Sequence, residues 1–134
     1  MDIQGGFIIN DLIEKEDVEI KNMIYEVRGK QVMLDSDLAE LYKCKNGTKT
    51  INLAVKRHIN RFPERYMFQL TDEESKLYLR FQIETSNMKG GRRYNPYVFT
   101  EQGVAMLATV LRTPVAEEVS IRIMDAFVAM RKYI

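Results

Sequence analysis

The sequence predicts a small α+β domain, a helical unit built around a helix-turn-helix-like pair and packed with a short β-hairpin and strands. Three observations carry this expectation. The chain has 134 residues, 46% apolar and 29% charged, which places it in the single-domain range with enough apolar material for a core. Apolar residues alternate at Tyr66, Phe68 and Leu70 but recur at helical spacing through residues 49–62 and 114–134. Threonines stand at helix-start positions at Thr71, Thr100 and Thr113.

Taken in order, residues 1–22 mix charges with the apolar patch Phe7-Ile8-Ile9 and the pair Gly5-Gly6. They show no clear period and read as a lead-in segment with scope for mobility, ahead of a domain over residues 23–134. Residues 24–35 read as a hairpin. With Gly29-Lys30 as a two-residue turn, Gly29 takes the first central position that a type II′ turn favours. Val27 then faces Val32 and Tyr25 faces Leu34, all on one side.

A short helix follows, capped by Asp35 or Ser36, with Leu38, Ala39, Leu41 and Tyr42 as its apolar face. Cys44 to Thr48 form a turn broken at Asn46-Gly47. A second helix is expected from about Lys49 to Phe62, stopping before Pro63. Thr71-Asp72-Glu73-Glu74 is a capping box that opens a helix over roughly 72–85. Residues 86–95 read as a flexible basic loop and Tyr97-Val98-Phe99 as a short strand. Thr100 caps a helix to about Arg112, and Thr113-Pro114 starts the last one, over 114–134.

The chemistry that the composition excludes narrows the function. A single cysteine, Cys44, rules out an intrachain disulfide framework and suits a reducing cytoplasm. Cys44 and His58 are two soft ligands where a structural zinc needs four. Lys43 and Lys45 beside Cys44 are placed to lower its pKa. Asp35-Ser36-Asp37 is what a helix N-terminus prefers. With no paired carboxylates, nucleophile elbow or relay triad, the chain reads as a non-enzyme with no cofactor and no metal. No apolar run approaches the ~18–20 residues of a membrane span.

A net charge of +1 hides a sharp asymmetry. Residues 1–40 carry ten acids and four bases, a net of −6. Residues 43–66 carry seven bases and one acid, Glu64, a net of +6. Placing Ile51 at the centre of the second helix's inner face brings Val55, His58, Ile59 and Phe62 within about 80° of it. Lys49, Asn52, Leu53, Lys56, Arg57 and Asn60 fall opposite, with Arg61 and Arg65 flanking and no carboxylate among them.

Lysine and arginine reach phosphates or guanine edges, and asparagine pairs with adenine, so this face suits DNA. The candidate contacts are Lys45, Lys49, Asn52, Lys56, Arg57, Asn60 and Arg61, joined by Lys89, Arg92 and Arg93 of the basic loop lying on the backbone. A short helix, a turn and a longer helix with a basic outer face make the pair helix-turn-helix-like, its second helix in the major groove.

Residues 24–131 resemble the KilA-N type DNA-binding domain, in the branch found in phage antirepressor-like proteins and bacterial prophage genes. The resemblance is carried by Ile24-Tyr25, then Gly29 through Tyr42, then Leu53-Ala54-Val55-Lys56-Arg57, Arg61-Phe62-Pro63-Glu64 and Met67 through Thr71. Further on it is carried by Gly90-Gly91-Arg92-Arg93, Pro96-Tyr97, Phe99 through Leu107, Ile123-Met124 and Ala126-Phe127-Val128. It implies binding of double-stranded DNA in phage or prophage gene regulation. Two positions depart from it: Lys43 stands where the family usually has glycine, and His58 where many members have asparagine.

The alternative reading is a protein-interaction module, an antirepressor that binds a repressor protein without reading DNA. In the last helix Val119, Ile123, Phe127, Met130 and Ile134 form one apolar stripe, and Ile121, Met124 and Val128 a second. With no stop signal before Ile134, the natural chain is expected to continue, or a homodimer to form through helix 114–134.

Overall fold

The computed structural model describes residues 17–78 and 95–131. Over these residues the expected α+β architecture is present: helices α1 (17–22), α2 (Asp35–Leu41), α3 (Thr48–Arg57), α4 (72–78), α5 (Glu101–Leu111) and α6 (Pro114–Arg131), with strands β1 (Ile24–Val27), β2 (Lys30–Leu34), β3 (Met67–Gln69) and β4 (Tyr97–Thr100). The strands form one antiparallel sheet in the order β1-β2-β4-β3.

The alternation of side chains gives the sheet two apolar faces. Ile24, Met33 and Phe99 point to the larger core, where they meet Leu38 of α2, Ile51 and Val55 of α3, Leu107 of α5 and Ile123 and Phe127 of α6. Val27, Val32, Leu34, Phe68 and Val98 point to a smaller core that Leu70 and Tyr78 help to cover. On that side Tyr25 meets Tyr78 edge-on at 6.2 Å, and the Arg28 guanidinium lies 4.3 Å over the Phe68 ring.

Several start signals act as the sequence implies. Thr71 Oγ1 accepts from Glu74 N at 3.2 Å while Glu74 Oε1 accepts from Thr71 N at 2.9 Å, a reciprocal capping box. Gly103 N donates to Thr100 Oγ1 at 3.3 Å and Ala116 N to Thr113 Oγ1 at 3.0 Å. The ends of α4 and α6 expected at 85 and 134, the stripe member Ile134, and most of the loop 86–95 lie outside the described residues.

Five expectations are corrected. The hairpin turn is Arg28-Gly29, both at positive φ (55° and 75°), so Val27 pairs with Lys30 and Tyr25 with Val32. Paired positive φ values are those of a type I′ turn. The second helix ends at Arg57 and not at Phe62: His58 leaves helical dihedrals (φ −131°, ψ 37°), and Ile59–Arg61 form a separate 3₁₀ turn. That break lets Phe62 meet Phe99 edge-on at 6.2 Å, while Ile59, expected on the inner stripe, turns outward. Asp35 is the first residue of α2 and not its cap; its carboxylate accepts from Ser36 N at 2.8 Å and from Tyr97 N at 3.3 Å. Residues 17–22 of the expected lead-in are helical, and Ile20 is buried in the larger core. Cys44 is a half-buried turn residue whose pKa burial pushes up, against the lowering expected from its lysine neighbours.

Candidate nucleic-acid interface

The face that matters is held by the α2–α3 pair. The end of α2 closes in two hydrogen bonds, Lys43 N to Glu40 O at 3.1 Å and Cys44 N to Ala39 O at 3.0 Å. With Lys43 at φ 55° this is a Schellman motif, whose left-handed position glycine usually fills. Gly47 then starts α3 at φ 58°, ψ −141°, a conformation that a side chain would strain. From there α3 runs ten residues, about 15 Å at 1.5 Å per residue. Ile51 and Val55 sink it into the core, and His58 Nδ1, 3.0 Å from Ala54 O, closes its far end.

Burying Ile51 and Val55 dictates what faces outward. Lys49, Leu53, Lys56 and Arg57 of α3 are exposed and Asn52 is half-buried. Lys45, in the turn ahead of the helix, is exposed. Asn60 and Arg61 are exposed too, on the 3₁₀ turn beyond the helix and not on the helix itself. Lys89, Arg92 and Arg93 lie outside the described residues. None of Lys45, Lys49, Lys56, Arg57 and Arg61 is paired with a carboxylate of the described residues. No acid stands in the first turn of α3. A folded surface normally mixes signs, so five cations on one short stretch, without a carboxylate partner among the described residues, give this face a positive potential that suits an anion.

Two of the open hollows that border α3 lie on either side of it. One, of about 310 Å³, lies between the helix and the sheet and is lined by Asn52, Val55, Lys56, Ile59, Met67 and Tyr97. The other, of about 280 Å³, lies toward α5 and includes Asn46, Lys49, Leu53, Arg57, Val110 and Leu111. Neither is closed, and their polar lining is amide, hydroxyl and cation without a carboxylate, so they suit contact with a surface better than enclosure of a small molecule.

Sequence reasoning left Lys30 and Leu53 out of the candidate set. Lys30 lines a cleft of about 340 Å³ with Arg65, Thr100 and Arg131. In that cleft Arg131 is held by Glu101 at 2.9 and 3.1 Å. Nothing local couples Lys30 to Arg65; the sheet brings them together. Leu53 was legible as an apolar residue amid cations.

Comparison with known proteins supplies one finding. The model of the ORF6N domain, a phage-associated family, matches residues 22–110. No curated protein and no solved structure matches the chain.

Proposed function

The chain belongs to the ORF6N domain family, and from that premise we propose that it binds double-stranded DNA sequence-specifically in phage- or prophage-type gene regulation, as a KilA-N-like domain with α3 in the major groove. The observation that carries the reading is the outer face of α3, with Lys49, Lys56 and Arg57 exposed and paired with no carboxylate of the described residues. An α-helix, about 10–12 Å across with its side chains, fits a groove ~12 Å wide. Lys45 and Arg61, at the two ends, suit phosphates, and Asn52 suits a base edge. The role is non-enzymatic and needs no cofactor.

The rival, a module that binds a repressor protein, takes its support from the exposed second stripe of α6 and not from this face. A homodimer remains part of the proposal. Ile121 is 65% exposed and Val128 43%, both on the second stripe of α6, and a two-fold pair doubles the base contacts available to one short helix. Selection of bound duplexes from a random pool tests the reading. Recovery of a shared motif supports it; a recovered pool no different from the input rejects it.

A further inference from the structure

Leu53 sits at the centre of the outward face of α3, 42% exposed. On a helix, residues at −4 and +3 fall to one side of it and the residue at +4 to the other. Here those residues are Lys49 and Lys56 on one side and Arg57 on the other, all exposed. The centre of the basic face is therefore an apolar branched side chain, with Lys49 and Lys56 on one side of it and Arg57 on the other. A single exposed leucine is ordinary on a protein surface; its place amid the cations is what points to a use. Against a major groove it is complementary: the cations on the two sides meet the phosphates of the two strands, and the middle meets the floor.

The apolar group on that floor is the thymine 5-methyl. Resting on the DNA-binding reading above, we propose that Leu53 is a specificity-determining residue that packs on a thymine methyl, making the preferred site one with an A·T pair under the middle of α3. The cations on either side supply the charge complementarity that selects DNA as the occupant, whereas an apolar protein groove would have to strip water from three cations to reach Leu53.

The test replaces every thymine of the tightest-binding duplex by uracil, which removes the methyl groups and keeps the pairing and the phosphates. Loss of one contacted methyl lowers wild-type affinity about fourfold. Leu53→Ala and Leu53→Gln bind the two duplexes equally, and circular dichroism checks that both variants keep the fold. Lys56→Ala weakens both duplexes alike and keeps the fourfold ratio. Equal wild-type binding of the thymine and uracil duplexes, or a ratio that survives in both Leu53 variants, overturns the inference and leaves DNA binding standing. Absence of binding to any duplex removes the DNA-binding reading and the inference with it.

Discussion

The Tyr42 hydroxyl lies 2.8 Å from Ser120 Oγ, in a buried contact between residues 78 positions apart in sequence. It ties the end of α2 to the middle of α6, so the two-helix unit is anchored by a polar contact as well as by packing. Removing the serine hydroxyl strands the phenol in an apolar seam. Ser120→Ala is expected to cost about 1–3 kcal/mol, and Tyr42→Phe combined with Ser120→Ala less than the sum of the two single changes. Urea denaturation of the three variants measures the cycle.

The same tyrosine sets an alkaline limit. Burial pushes its pKa from 10.0 up to about 12, against a lowering from the Ser120 hydrogen bond. A phenol whose folded pKa exceeds its unfolded value contributes stability that is full below pH 10 and is lost as pH rises toward 12. Melting temperature should fall over that window, and Tyr42→Phe should flatten the fall.

At the acidic end, Arg28 grips Glu74 in two hydrogen bonds of 2.8 and 2.9 Å. These, with the Thr71 backbone, hold the Glu74 carboxyl down at about 2 from 4.5. Its stabilisation is present above pH 4.5 and is lost as pH falls toward 2. The pair is partly exposed, so solvent screening limits it to about 1 kcal/mol or less. Glu74→Gln should lose that amount at pH 7 and nothing near pH 2, as read by denaturation at the two pH values.

Gly103 is required by contact. A Cβ built on it would stand 1.9 Å from Tyr66 O, the carbonyl that accepts from Thr100 N at 3.0 Å. Gly103→Ala must push apart the start of α5 and the segment leading into β3. We expect a loss of about 3 kcal/mol or more, visible as a melting temperature lower by roughly 10 °C.

Lys43 is the reverse case. Its φ of 55° carries the cost of a side chain in the left-handed region. Lys43→Gly is expected to raise stability by about 0.5–1 kcal/mol, and Lys43→Ala to leave it unchanged. An equal gain from alanine would assign the effect to charge and not to backbone conformation.

What the sequence disclosed follows from how local each interaction is. The Thr71–Glu74, Thr100–Gly103 and Thr113–Ala116 caps are each made within three residues, and all three were legible. Faces of the hairpin were legible while its turn was not, because a shift of two residues keeps Tyr25, Val27, Val32 and Leu34 on one side. The stop of α3 at Arg57 depends on Phe62 reaching Phe99, a contact the sequence does not announce. Ile20 lacked a periodic neighbour, and Asp35 was taken from its capping role by Tyr97, 62 residues away. At the candidate interface, residues 49–57 were legible because one helix carries them; Asn60 and Arg61 were misplaced with the helix end.

Salt dependence of duplex binding tests the central claim most directly, by fluorescence anisotropy of a labelled duplex from 50 to 300 mM salt (~ sixfold in concentration). With about five cations on phosphates, log K should fall against log salt with a slope of about −4 to −5, and Lys56→Ala should make it shallower by about one unit. Binding that ignores salt, or a slope that Lys56→Ala, Lys49→Ala and Arg57→Ala all leave unchanged, would contradict the placement of α3 on DNA.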